Sequence, residues 1–266
     1  MAEKGSLYLI PIPIAEGAVG TLSPQIHEQT LRIRFYFVEN VRTARRFLKS
    51  IHPTIVIDDL QFSEIDKHKG PDKKLLKQWL QAGNDVGVMS EAGCPGIADP
   101  GAELAAVAQG MSAKVVPLTG PNSIILALMA SGLNGQSFCF SGYLPVKEPA
   151  RSQRIKQLEQ TSKKEHQTQL FIETPYRNNQ MLDELIKHCM PATRICIAQN
   201  ISAADEYIRT MTAAEWKKDK PVLEKQPAVF LILANSLLAV SCWPLAEGQC
   251  LKNVGCWLWA VGQVIQ

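Results

Sequence analysis

Three short segments concentrate glycine and proline where a chain needs unusual backbone freedom or rigidity. They are Pro11-Ile12-Pro13-Ile14-Ala15-Glu16-Gly17, the longer run from Ser90 to Gly101 (SEAGCPGIADPG), and Thr119-Gly120-Pro121-Asn122-Ser123. Each follows an apolar run that reads as a strand, and in α/β sheets ligands collect at the carboxyl ends of strands. In the second segment the glycines remove Cβ obstruction, so backbone N–H and C=O groups can face a ligand directly. Cys94, within it, could be a nucleophile of lowered pKa beside a helix-opening glycine loop. Asp99 precedes Pro100-Gly101 and reads as a turn former rather than an acid. Neither a GxGxxG nor a GxxxxGK[ST] fingerprint occurs, which argues against a Rossmann dinucleotide site, an NAD-linked oxidoreductase or a P-loop.

The elements that must position these loops are legible in the apolar pattern. Short apolar runs bounded by Gly and Pro alternate with helical periodicities, the sequence form of an α/β fold. Strands are predicted at Leu7–Ile10, Arg34–Val38, Pro53–Ile57, Asp85–Met89 and Lys114–Leu118, with helices over 43–50, 73–82 and 102–110. A helix begins at Ser123, where Asn122 or Ser123 serves as N-cap. Further strands are predicted at Phe138–Ser141, Gln169–Glu173, Arg194–Ala198 and Val229–Leu233, with a helix over Asn178–His188. The polar run from Ser152 to Lys164 reads as a solvated helix face. This gives two α/β domains, 1–117 and 118–234, the second with a parallel or mixed sheet.

Residues 235–266 change character. They hold three of the seven cysteines and three of the five tryptophans, with only Glu247 and Lys252 as charges. This atypical tail reads as an appended segment outside the functional core or as a docking or subunit contact.

Bulk properties narrow the function classes. At 266 residues, 46% hydrophobic and 20% charged, the chain has the composition of a globular protein with a buried core. A net charge of +3 permits phosphate-rich partners without demanding them. The cysteines are odd in number and show neither CxxC nor Cys/His ligand spacing, so reduced thiols, a cytoplasmic setting and no metal are expected. The N-terminal apolar run reaches Pro11 and Pro13 too soon for a secretory signal, and no apolar stretch is long enough to span a bilayer.

The ordered blocks LYLIPIPIAEG, FVENVRTARRFL, SEAGCPGIADPG, PLTGPNSIILALMASGL, FCFSGYLP and FIETPYRNNQMLDEL resemble the bacterial 16S ribosomal RNA ribose methyltransferase I family, a branch of the tetrapyrrole methylases. The resemblance covers roughly residues 6 to 234. It implies a two-domain α/β fold with S-adenosylmethionine in the cleft between domains, an RNA substrate in the small ribosomal subunit, and a homodimer. By this resemblance Pro13, Ala92, Gly93, Cys94, Ile97, Asn122, Ser123 and Glu173 line the cofactor, and Cys94 becomes a small lining side chain rather than a nucleophile. Glu39 and Arg42 match the family's EDTR stretch. Glu39 could orient or deprotonate the acceptor while Arg42 holds a phosphate or carboxylate; alternatively the two pair with each other or cap the next helix. Tyr176 and Arg177 match an SPHR element whose guanidinium could contact substrate.

The chain departs from the family pattern mostly on the acceptor side. Ala15-Glu16-Gly17 replaces a Gly-Asn-Leu-Gly-Asp continuation, EDTR has become ENVR, SDAG has become SEAG, and Asn200–Glu206 replaces an expected threonine, lysine and histidine. Two other functions therefore stand beside ribose methylation: C-methylation of a corrin or porphyrin precursor, and a non-catalytic module that binds cofactor or RNA.

Overall fold

The computed structural model describes residues 3–234. The atypical tail, residues 235–266, lies outside the described residues. Two α/β domains follow one another, each built on a five-stranded sheet.

The first sheet takes β1 (Leu7–Leu9), β2 (Phe35–Val38), β3 (Gln61–Glu64), β4 (Val86–Met89) and β5 (Val115–Pro117) in the order β3-β2-β4-β1-β5, with every neighbouring pair parallel. A parallel sheet needs crossover helices on both faces, so its central strands are apolar on both sides. The period of two is visible in β2. Tyr36 and Val38 join one core cluster with Ile10, Phe47, Leu48 and Met89, while Phe37 joins the other with Leu7, Leu80 and Val88. Between the strands run α1 (Pro24–Arg32), α2 (Val41–Ile51), α3 (Lys73–Gln81) and α4 (Ala102–Gly110). Helix α2 buries Ala44, Phe47, Leu48 and Ile51, an i, i+3, i+4, i+7 stripe. Its N-cap is Asn40, whose side chain accepts from the Thr43 amide at 3.1 Å.

The second sheet is mixed, as the sequence allowed. It takes β6 (Phe138–Tyr143), β7 (Thr168–Glu173), β8 (Arg194–Gln199), β9 (Tyr207–Thr212) and β10 (Ala228–Leu233) in the order β6-β7-β10-β8-β9. Only β6 and β7 are parallel. Helix α5 (Ser123–Ser131) covers one face with Ile124, Ala127 and Leu128 against Leu170, Ala198 and Val229. Helices α6 (Ala150–Glu165), α7 (Asn178–His188) and α8 (Ala213–Lys218) cover the other, where Trp216 is fully buried and donates its indole N–H to the Ile195 carbonyl at 2.9 Å. The polar run from Ser152 to Lys164 belongs to α6, which still buries Ile155, Leu158 and Ser162.

One predicted strand is corrected. Pro53–Ile57 forms a turn leading into a 3₁₀ turn at Ile57–Asp59, and the edge strand is Gln61–Glu64 instead. Ile55 and Ile57 supplied the strand-like signal because they pack beneath the sheet. The true edge strand, QFSE, is polar at three of its four positions and solvated at both ends.

Because all five strands of the first sheet run the same way, the segments after β1, β2, β4 and β5 emerge at one edge. There Gly120 lies so close to the first loop that a Cβ built on it would sit 2.3 Å from the Pro11 Cβ and 2.7 Å from its Cγ. Ala at position 120 must push these loops apart. Gly120→Ala is therefore expected to lower stability by about 1–3 kcal/mol, read as a reduced urea midpoint at unchanged slope.

Candidate active site

The three glycine- and proline-rich loops converge. Ile12 and Gly93 exchange both backbone hydrogen bonds, Ile12 N–H to Gly93 O at 3.0 Å and Gly93 N–H to Ile12 O at 3.1 Å, which ties the first loop to the second. The second is tied to the third through Cys94, whose thiol donates to the Pro121 carbonyl at 3.3 Å. Gly93 has φ +68°, and a Cβ there would lie 3.3 Å from Ile14 Cγ2 and 3.6 Å from the Pro121 oxygen. A residue wedged between two other loops in a left-handed conformation is where glycine is required.

A cavity of about 310 Å³ opens where these loops face the second domain. The first loop contributes Ile14; the second contributes Ala92, Gly93, Cys94, Ile97 and Asp99; the third contributes Asn122 and Ser123. Across from them stand Tyr143 at the end of β6, Glu173 at the end of β7, and Ala198, Asn200, Ile201 and Val229. Seven of the eight residues expected to line a ligand thus border one space; Pro13 does not, its neighbour Ile14 taking the wall position. Asn122 is committed as the N-cap of α5, accepting from the Ile124 and Ile125 amides at 3.0 and 3.1 Å, so its side chain fixes the loop.

Carboxylates gather on the first-domain side of the mouth. A Glu39 side-chain oxygen accepts the Glu91 amide at 3.2 Å, and both charges act on Asp99. Burial, then the Glu39 charge, then that of Glu91 push the Asp99 carboxyl up to about 6, well above the ordinary carboxylate range. Asp99, read from the sequence as a turn former, is thus a half-buried acid facing the cavity, and the Pro-Gly that follows it masked that environment. Neither Glu39 nor Arg42 borders the cavity directly. Among the described residues they do not pair with each other, and the helix cap between them is Asn40. Arg42 is exposed.

Cys94 has a thiol pushed up by burial, the opposite of what a nucleophile requires. Glu173 is buried at 4% exposure, and its Oε1 accepts from the Thr174 amide and from Arg177 Nε at 3.0 Å, with Nη2 on the same oxygen. Its charge is therefore paired, as burial demands. Tyr143, Asn200 and Ile201, which bear on the cavity from the second domain, carry no local motif that singles them out. The whole arrangement suits a ligand with a flat apolar body and a cationic centre, held by backbone groups and flanked by acids.

A family model described as Tetrapyrrole (Corrin/Porphyrin) Methylases matches residues 34–217. Among curated proteins, the ribosomal RNA small subunit methyltransferase I of Vibrio cholerae is 29% identical over 229 residues, 85% of this chain and 76% of that one. The protein of the same name from Synechocystis is 34% identical over 173 residues, 65% of this chain and 58% of that one. Among solved structures, the uroporphyrin-III C-methyl transferase of Thermus thermophilus complexed with S-adenyl homocysteine superposes with a TM-score of 0.53 at 15% identity, over 86% of this chain and 97% of that one. That last likeness concerns the fold. The family match runs from just before β2 into α8 and so takes in both walls of the cavity: the chain belongs to the tetrapyrrole (corrin/porphyrin) methylases.

Proposed function

We propose that this chain is an S-adenosylmethionine-dependent methyltransferase acting on ribosomal RNA, at the ribose 2′-oxygen of a cytidine in the small-subunit RNA. The observation that carries the reading is the convergence of three strand-end loops on a cavity with apolar walls and an acidic rim. The curated relatives named as ribosomal RNA small subunit methyltransferases support small-subunit ribosomal RNA as the acceptor molecule.

S-adenosylmethionine, when bound, supplies a methyl group already activated on a sulfonium, so the protein's task is alignment and exclusion of water. The residues present fit such a group. Gly93 leaves room for close backbone approach, Ala92, Cys94, Ile97 and Ile14 give small and apolar contacts, and Asn122 and Ser123 open the helix beside it. Pro13 holds the first loop rigid behind Ile14. Glu173 supports the second-domain wall through its pairing with Arg177. The sulfonium's positive charge complements the cluster of Glu39, Glu91 and Asp99.

The acceptor hydroxyl must lose a proton as its oxygen is methylated, and on this reading Asp99, which borders the cavity with a raised pKa, takes it. A base with a pKa near neutrality is efficient at physiological pH. Glu39 assists by its charge, which raises the proton affinity of Asp99, and on this reading the exposed Arg42 meets an RNA phosphate. A tetrapyrrole precursor is less suited to this rim: it carries carboxylates around its whole periphery, and Glu39 and Glu91 would repel them. On this reading the chain divides into domains at 1–117 and 118–234 and works as a cytoplasmic homodimer. Among the described residues no helix is long and apolar enough to cross a membrane.

Three outcomes are expected. Titration with S-adenosylhomocysteine gives saturable binding, and labelled cofactor transfers tritium to small-subunit RNA; absence of transfer by folded, cofactor-bound protein would remove the RNA reading. Only the ionised form of Asp99 accepts a proton, so kcat/KM should climb tenfold per pH unit below about 6 and level off above it. Asp99→Asn should lower kcat roughly 100-fold and abolish that limb. Alkylation by iodoacetamide at neutral pH should reach the exposed Cys139 well before Cys94, whose raised pKa keeps it a thiol; faster labelling of Cys94, followed by peptide mapping, would contradict the assignment.

A further inference from the structure

Beside the second-domain wall of the cavity stand two exposed tyrosines and a lysine that the methyl-transfer chemistry does not use. Strands β6 and β7 are parallel, and Tyr143 at the end of β6 is in register with Ile172 on β7. Four residues beyond Ile172, Tyr176 stands in the 3₁₀ turn Pro175–Arg177. Two tyrosines thus leave neighbouring strands at the same carboxyl edge, where Tyr143 and Pro175 both border the cavity.

Both rings are turned outward. Tyr143 is 61% exposed and Tyr176 is 81% exposed, against 41% for Phe138 at the start of β6, and these three are the exposed large aromatic side chains among the described residues. The turn that carries Tyr176 is held rigidly from below: Arg177 donates through Nε and Nη2 to the buried Glu173, and the Thr174 amide donates to the same oxygen. Lys225 reaches over the Tyr176 ring with Nζ 5.5 Å from its centroid. An outward ring on a fixed turn, with a cation over it and a second exposed ring on the adjacent strand, has the composition of a surface that takes a flat, negatively charged partner. Single-stranded nucleic acid is that partner, because unpaired bases stack on aromatic faces while cations meet the phosphates.

We propose that Tyr176, with Lys225 over its ring and Tyr143 on the neighbouring strand, is a stacking platform for an unpaired base of the acceptor RNA. The inference rests on the RNA reading above and deepens it. It assigns recognition to a nucleotide splayed out of a single strand, whose base lies on the second-domain rim while its ribose reaches the cavity mouth. Duplex RNA cannot supply that base, since its bases are already stacked on one another.

The test uses the full-length chain and its variants Tyr176→Ala and Tyr176→Phe. The probes are a fluorescent, cytidine-containing oligoribonucleotide, alone and annealed to its complement, together with S-adenosylhomocysteine and small-subunit RNA. Tyr176→Ala should weaken single-strand binding and raise the KM for RNA roughly tenfold, with kcat and S-adenosylhomocysteine affinity unchanged. Tyr176→Phe should restore both, because stacking needs the ring and not the hydroxyl. The platform is overturned if the wild-type chain binds no single strand, if duplex binds as well as single strand, if Phe behaves like Ala, or if Tyr176→Ala instead dissociates a dimer. A wild-type chain that binds single strands through Tyr176 but transfers no methyl group would refute the RNA methylation reading while leaving the platform standing.

Discussion

The paired hydrogen bonds between Ile12 and Gly93 are the constraint on which the site depends. Two loops from different strands are joined there by backbone alone, and backbone groups at such a crossing must be satisfied if they are to be buried. Gly93 at this bridge is in a left-handed conformation, where a Cβ would also sit tightly against Ile14, 3.3 Å from its Cγ2. Each loop is thereby braced by the other two, with Gly120 against Pro11 closing the triangle. The cavity wall is consequently a feature of main-chain geometry, and its side chains can be as small as Ala92 and Cys94 without loss of shape.

The surroundings of the cavity differ on its two sides. Glu39, Glu91 and Asp99 gather on the first-domain side, while Tyr143 lines the second-domain wall and Tyr176, with Lys225 over its ring, stands beyond it. Burial, together with the neighbouring charges of Glu39 and Glu91, raises the proton affinity of Asp99.

The strands and loops were legible because their signals are local. Val86–Met89 and Ala228–Leu233 are buried on both faces, and their unbroken apolar runs state it. The loops declared themselves through glycine and proline, which report backbone needs directly. The edge strand Gln61–Glu64 and the strand Tyr207–Thr212 did not, since a solvated face dilutes the alternation that marks a strand. The raised pKa of Asp99 was illegible for a related reason: it arises from burial and from the charges of Glu39 and Glu91, sixty and eight positions away in the chain, and no local pattern encodes either. Tyr143, Asn200 and Val229 reach the cavity only because the second sheet folds back over it.

Glu173 shows how the second-domain wall of the cavity and the turn beside it are mechanically joined. A carboxylate at 4% exposure carries a desolvation cost that only partners can offset, and its Oε1 has three hydrogen bonds, all from residues of the same turn. Two of them come from Arg177, which fixes the 3₁₀ segment that displays Tyr176, while the backbone of Glu173 itself ends β7 and its side chain backs the cavity. Removing the charge would release Arg177 and loosen both the wall and the turn at once. The acid's position in the fold is therefore better explained by what it holds than by what it contacts in a ligand, and it links the shape of the cavity to the orientation of the surface beside it.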